Sequence, residues 1–123
     1  MQGLSGIAWA GLAAEDVDLL GEFYATTVGL PLQQRAAGAC LFNVGNGAVF
    51  EIWGGGVASA TKKGPDRQSL IIGFQVERIE PWIEDLATRG LHAEGPIESG
   101  LGKRWVQYTD PEGNGFEFKD AHG

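Results

Sequence analysis

The sequence predicts an α+β fold in which two tandem βαβββ modules form an open, mixed β-sheet that lines a cavity. The first observation behind this prediction is an internal repeat, because GAVFEI at 47–52 matches GNGFEF at 113–118. The second is a helical pattern in each half that ends at a glycine, and the third is a hairpin pattern that closes each half. The 123 residues fit a single domain, with modules at 4–56 and 68–120 and a linker at 57–67.

An opening strand and one helix are predicted in each module. The strands fall near 7–14 and 69–76, where short β-like runs align in the repeat. Asp16 is a candidate N-cap and Gly29 a candidate end for the first helix, whose apolar face consists of Val17, Leu20, Phe23 and Tyr24. In the second half, Pro81 suits the first helical turn and Gly90 ends the helix.

Strand alternation sorts the side chains between two faces of the sheet. One face packs on the helices and carries Leu12, Phe50, Ile52, Phe74, Val76, Phe116 and Phe118. The opposite face carries Trp9, Gly11, Glu51, Trp53, Ile71, Gly73, Gln75, Trp105, Gln107, Glu117 and Lys119. The candidate functional residues on this face are Trp9, Glu51, Trp53, Ile71, Trp105, Gln107 and Glu117. Because one helix per module covers only one face of the sheet, the opposite face is expected to line a cavity or to meet a partner.

Composition and charge argue against several classes of protein. The net charge of −7 argues against a nucleic-acid partner, because phosphate binding relies on clustered lysine and arginine. The single cysteine, Cys40, cannot form an internal disulfide, and no secretory leader pattern opens the chain, so a cytoplasmic location is predicted. The apolar stretches are too short to span a bilayer, so no membrane partner is expected.

Two motifs in the chain resemble those of the vicinal oxygen chelate superfamily, which includes glyoxalase I, bleomycin-resistance proteins and extradiol dioxygenases. One is Asp16 followed by Phe23-Tyr24 and Gly29-Leu30, and the other is Asp110-Pro-Glu-Gly-Asn114 followed by Phe116-Glu117-Phe118. The resemblance covers nearly the whole chain, from Ile7 to Lys119. It implies an open sheet around a small-molecule pocket, and it implies a homodimer.

Metal-dependent members of that superfamily take their ligands from the first and last strand of each module. The resemblance places the last-strand ligands at Glu51 and Glu117, but the first-strand positions hold Trp9 and Ile71, whose side chains have no lone pair for a metal. Two carboxylates with waters are enough for a hard cation but make a poor site for a transition metal. We therefore expect no cofactor, and a divalent metal, if one binds, only at the two glutamates.

Five further residues with reactive or charged side chains have no clear position at this face. His92 is predicted at the start of a strand after the second helix, and His122 in a flexible tail. Lys103 and Arg104 are candidates for an anionic ligand, although such residues at a strand entrance are more often solvated. Cys40 lies in an apolar run and is predicted to be a small buried side chain.

Three functions remain open for the candidate face. The first is metal-independent binding of a bulky or aromatic metabolite or antibiotic, with apolar contact from Trp9, Trp53, Ile71 and Trp105 and orientation by Glu51, Gln107 and Glu117. The second is a lyase, isomerase or dioxygenase-like enzyme in which Glu51 and Glu117 are metal ligands or an acid/base pair. The third is an interaction module whose face is filled by a partner subunit.

Overall fold

The computed structural model describes residues 2–121 and contains two compact units, the first ending at Val57 and the second beginning at Ala58. The first unit contains, in chain order, β1 (Trp9–Ala14), α1 (Val17–Glu22), a π-helical segment (Phe23–Val28), β2 (Leu32–Ala36), β3 (Ala39–Asn43) and β4 (Val49–Gly54). The second contains β5 (Ile72–Gln75), α2 (Ile79–Thr88), β6 (Glu98–Gly100), β7 (Lys103–Thr109) and β8 (Gly115–Asp120). Strand, helix and three strands therefore occur twice, which confirms the predicted pair of βαβββ modules.

Each unit has one mixed four-stranded sheet, with the strand order β1-β4-β3-β2 in the first and β5-β8-β7-β6 in the second. The first strand of each unit pairs in parallel with the last, because the helix carries the chain back across the sheet, and the other neighbours are antiparallel. The registers match, since Gly11 is opposite Glu51 and Gly73 is opposite Glu117. The repeat therefore places each of the two glutamates beside a glycine.

The first helix forms where its capping signals predict it. A side-chain oxygen of Asp16 accepts a hydrogen bond from the Leu19 N–H at 3.0 Å, and Gly29 ends the helical stretch with φ 88°. Before that end the helix widens into π geometry over Phe23–Val28, which the spacing of apolar residues does not predict. Tyr24 and Val28 of this wider segment are buried, and the Tyr24 ring packs edge-on against Phe50 of β4 with centroids 5.2 Å apart.

The second helix takes its N-terminal cap from a distant strand. Arg78 makes no side-chain capping bond; instead, Oδ2 of Asp120 in β8 accepts a hydrogen bond from the Ile79 N–H at 2.9 Å. Pro81 lies in the first turn and Gly90 follows the helix with φ 84°, as predicted. Within residues 2–121, no helix is long and apolar enough to cross a membrane.

The helix-facing side of each sheet forms a core, and the predicted alternation is confirmed. The buried apolar side chains are Ala14, Leu20, Tyr24, Val28, Leu30, Cys40, Phe42, Phe50 and Ile52 in the first unit, and Phe74, Ile79, Leu86, Val106, Tyr108, Phe116 and Phe118 in the second. The helix approaches the sheet closely at Gly21, where a Cβ atom would come within 2.5 Å of the Cys40 sulfur. Cys40 is therefore a buried packing residue, as its apolar neighbours predict.

Residues 57–67, which are predicted as a linker, contain no helix or strand, and from Ala58 onward they belong to the second unit. This segment hydrogen-bonds to the β7–β8 turn, since the Ser59 N–H donates to the Glu112 carbonyl and the Lys63 N–H donates to the Gly113 carbonyl. The Lys63 ammonium also donates to the Asn114 side-chain oxygen at 2.9 Å. The motif that carries the resemblance therefore has a structural role in anchoring this segment.

Two local predictions are wrong. The strand predicted at 69–76 is too long, because β5 covers only Ile72–Gln75 and Ile71 therefore precedes it. His92 does not start a strand, because residues 91–97 contain no helix or strand and β6 begins at Glu98. Pro96 within this stretch has no N–H to contribute to a strand ladder. The predicted flexible tail around His122 lies outside the described residues.

Candidate functional site

The face of the first sheet opposite its core carries two tryptophans and a glutamate around Gly11, and we call Trp9, Gly11, Glu51 and Trp53 the first face. The two indoles are stacked, with ring centroids 5.7 Å apart and an interplanar angle of 24°. A Cβ atom on Gly11 would collide with both rings, so the indoles lie directly over the glycine backbone. Three of the residues predicted to bind a ligand are therefore brought together within one unit.

Glu51 is held by one of these indoles. The Trp9 indole N–H donates to Oε1 of Glu51 at 3.0 Å. Among residues 2–121, no lysine or arginine lies within ion-pair distance of this carboxylate. Trp9 is 51% exposed and Trp53 is 36% exposed, so both rings keep accessible surface. The first face thus presents aromatic surface beside an anionic group.

The equivalent second face is Gly73, Trp105, Gln107, Glu117 and Lys119. The Gln107 side-chain amide donates to Oε2 of Glu117 at 2.9 Å, and the Lys119 ammonium lies 3.9 Å from Oε1 of the same carboxylate. The Lys119 stem crosses Gly73, where a Cβ atom would collide with it. The Lys119 ammonium lies 5.2 Å from the centroid of the Trp105 ring.

The remaining predicted ligand residues have distinct surroundings. Ile71, one residue before β5, is 46% exposed and occupies the position that Trp9 has in the first unit. Trp105 is half-buried, and its indole N–H donates to Oε2 of Glu98 at 3.0 Å. The sequence patterns described above do not predict the hydrogen bond from Trp105 to Glu98 or the ion pair between Lys119 and Glu117. The spacing of Glu117 and Lys119, two residues apart on one strand face, is the signal for that ion pair.

Arg104 is not available to an anionic ligand, because two carboxylates of its own unit hold it. Its guanidinium donates two hydrogen bonds to Glu80, at 2.8 and 2.9 Å, and two to Asp120, at 2.9 and 2.6 Å. The hydrogen bonds from Arg104 lower the pKa of Glu80 from 4.5 to about 2. The same bonds, together with those to Asp120, raise the pKa of Arg104. This cluster joins α2 to β7 and β8 and is structural.

The donor set does not fit a preorganised metal centre. The positions that would complete it hold Trp9, whose only polar side-chain atom is an N–H donor already bound to Glu51, and Ile71, whose side chain has no polar atom. Glu117 is engaged by an amide and an ammonium group. Among residues 2–121, no group of three or more histidine, cysteine, aspartate or glutamate side chains is arranged to hold a metal ion.

Comparisons with known proteins place the fold. No family model matches the sequence, and no curated protein matches it. A putative glyoxalase family protein from Bacillus anthracis is 19% identical with a TM-score of 0.75, over 98% of both chains. A lactoylglutathione lyase from Agrobacterium tumefaciens is 17% identical with a TM-score of 0.73, over 96% of this chain and 95% of that one.

A third solved structure gives the same result. A glyoxalase/bleomycin resistance protein/dioxygenase from Nocardioides is 18% identical with a TM-score of 0.71, over 99% of this chain and 87% of that one. Identities this low establish a shared fold and no particular activity. The chain therefore has the two-module fold of the glyoxalase/bleomycin resistance/dioxygenase proteins, which is the fold of the vicinal oxygen chelate superfamily.

Proposed function

We propose that the protein binds a bulky or aromatic small molecule at the first face, without a metal. The observation that carries this proposal is the stacked pair of half-exposed indoles, Trp9 and Trp53, over Gly11. Large aromatic side chains left in water are costly, and covering them with a ligand recovers hydrophobic and stacking free energy. The carboxylate of Glu51 at the edge of this aromatic surface supplies a polar group that orients the ligand.

Metal independence is supported by the chemistry of the positions themselves. An indole N–H and an aliphatic side chain stand where a metal site of this fold needs lone pairs. The two glutamates already accept hydrogen bonds from the protein. Stoichiometric zinc, nickel, manganese or iron bound at Glu51 or Glu117 in the purified protein would contradict this part of the proposal.

A thermal-shift screen against aromatic metabolites, with and without a chelator, tests the binding function. A ligand at 100 times its Kd is expected to stabilise the folded protein by about 2.7 kcal/mol, because it binds only the folded state. The shift should persist in chelator and disappear in Trp53→Ala. Leu19→Ala is the control, since Leu19 is a 53% exposed apolar residue on α1 of the same unit. Equal shifts in both variants would rule out the first face as the binding site.

An enzyme is the second candidate, and one observation favours it. Glu51 accepts one hydrogen bond and has no ion pair among the described residues, so an oxygen remains to accept a proton from a substrate. In a glyoxalase-like lyase, an isomerase or a dioxygenase-like enzyme, Glu51 and Glu117 would act as metal ligands or as an acid/base pair. Loss of turnover in Glu51→Gln or Glu117→Gln, with the folded state intact by circular dichroism, would support the enzyme over the binding protein.

A further inference from the structure

The two faces differ in how their equivalent glutamates are neutralised. Glu117 has the Lys119 ammonium at 3.9 Å, whereas Glu51 has no ion pair among the described residues. The residue two positions after Glu51 on the last strand is Trp53, which takes the place of Lys119 in the register. The first face therefore has the Trp53 indole where the second face has the Lys119 ammonium, and both faces have a carboxylate, Glu51 and Glu117.

The second face also shows how this sheet holds an ammonium group. The Lys119 nitrogen lies 5.2 Å from the centroid of the Trp105 ring and 3.9 Å from Oε1 of Glu117. An ammonium group placed between an indole and a carboxylate is stabilised by the ring quadrupole and by the opposite charge. In the second unit, the chain itself supplies this cation.

The first face offers the same two kinds of group without a cation of its own. Trp9 and Trp53 are stacked and half-exposed, and the hydrogen bond from the Trp9 N–H fixes Glu51 beside them. A flat cation that stacks on an exposed indole can bring its positive charge close to the carboxylate. An anionic aromatic compound would meet repulsion there, and a neutral one would gain the stacking alone.

We infer that the first face binds an organic cation, which stacks on Trp9 and Trp53 and pairs with Glu51. This inference rests on the proposed small-molecule function and defines the charge and shape of its ligand. The net charge of −7 acts in the same direction, since an acidic protein raises the local concentration of cations.

Calorimetric titration with matched probes tests the inference on the full chain. The probes are 1-methylquinolinium, its neutral isostere 1-methylnaphthalene, and the anion 1-naphthoate. We expect Glu51→Gln to weaken the binding of 1-methylquinolinium by about tenfold and to leave the binding of 1-methylnaphthalene unchanged, because only the cation loses a charge partner. The control is Glu98→Gln, which removes the same charge from another glutamate that accepts an indole N–H. It should leave both probes unchanged.

A second variant keeps the test decisive if Glu51→Gln does not fold. Trp53→Lys places in the first unit the ammonium that the second unit already has, and it is expected to weaken binding of 1-methylquinolinium more than Trp53→Leu does, because both variants lose the indole and only the lysine neutralises Glu51. Equal losses in the two variants would overturn the inference. The inference is overturned if Glu51→Gln weakens the cation and the neutral probe equally, if it weakens neither, or if 1-naphthoate binds best. Binding of the neutral probe that depends on Trp53 would then leave the proposed function standing. Failure of all three probes to bind the unaltered protein would overturn both.

Discussion

At the scale of single residues, two glycines determine which large side chains can lie across the sheet. Gly11 lies under the two indoles of the first face, and Gly73 lies under the Lys119 stem of the second. Any β-carbon at either position would occupy the space that these side chains use. The glycines belong to the candidate site although they carry no functional group.

Gly11→Ala is expected to separate the Trp9–Trp53 pair, because the new methyl group collides with both rings. The near-ultraviolet circular dichroism of the coupled indoles should change, and ligand binding at the first face should weaken, while the far-ultraviolet spectrum stays the same. Gly3→Ala is the control, since nothing lies within 4 Å of a Cβ atom built there. An unchanged near-ultraviolet spectrum in Gly11→Ala would contradict the stacked geometry.

Tyr108 has a buried hydroxyl that makes no hydrogen bond among the described residues. Its ring stacks on Phe116 with a centroid distance of 5.7 Å, and the equivalent position in the first unit holds Phe42. Tyr108→Phe is therefore expected to raise the free energy of unfolding by about 1 kcal/mol, because an unpaired buried hydroxyl is costly. Urea denaturation with an unchanged m-value measures this. A decrease would mean that the hydroxyl is paired in solution.

At the scale of elements, the N-terminus of α2 depends on a cluster that links three segments of the second unit. Asp120 of β8 accepts the Ile79 N–H and binds Arg104 of β7, and Arg104 in turn binds Glu80 of α2. Asp120 is fully buried, so its charge needs these partners. The helix is therefore capped by a residue that lies 41 positions away in the sequence.

This cluster predicts a loss of stability in acid. The pKa of Glu80 is about 2 in the folded protein, against 4.5 when it is free of its partners. A lowered folded-state pKa adds stability above pH 4.5, which is lost as the pH falls from there toward 2. The stability advantage of the native protein over Glu80→Gln, measured by thermal unfolding, should therefore shrink through this window. Glu84→Gln, an exposed position on the same helix, controls for the change in net charge.

The same cluster predicts that removing the buried carboxylate of Asp120 greatly lowers the free energy of unfolding. Asp120→Ala leaves Arg104 without one partner and the Ile79 N–H without its acceptor. The free energy of unfolding is expected to fall by about 3 kcal/mol, as for other buried pairs that lose one member. Chemical denaturation measures the change. A fall below about 0.5 kcal/mol, the size typical of a surface substitution, would contradict the structural role of the cluster.

Signals between residues close in sequence predict some helices and strands better than others. Asp16 and Gly29 set the limits of the first helix, and the alternation around Glu51 and Glu117 assigns both sheet faces, because these patterns involve residues close in sequence. The π-helical segment is not predicted, since apolar spacing does not distinguish a π turn from an α turn. The cap on α2 is not predicted either, because its donor and acceptor are joined only by the fold.

At the scale of the whole molecule, the repeat predicts the backbone better than the chemistry of the site. Both units have the same strand order and the same glycine–glutamate register, as the matching segments indicate. The surroundings of the two glutamates differ because single side chains differ, Trp53 against Lys119 and Trp9 against Ile71. The repeat alone does not distinguish the two carboxylates, and the ion pair of Glu117 depends on Lys119, two residues later on the same strand face.

The resemblance also implies a homodimer, and the exposed apolar side chains make this a measurable expectation. Leu4, Ile7, Leu70 and Leu101 are between 75% and 103% exposed. Apolar side chains exposed to this degree gain hydrophobic free energy wherever an interface covers them. Sedimentation equilibrium is expected to give twice the chain mass of 13.1 kDa. A mass of 13.1 kDa at every concentration would contradict it.

The Lys119 ammonium over Trp105 has a consequence for stoichiometry. A tethered group acts at an effective concentration that free solutes rarely match, so a dissolved cation cannot easily displace Lys119 from the second face. Although the chain contains the module twice, we expect it to bind only one equivalent of cation. This cation binds at the first face, where no lysine occupies the site.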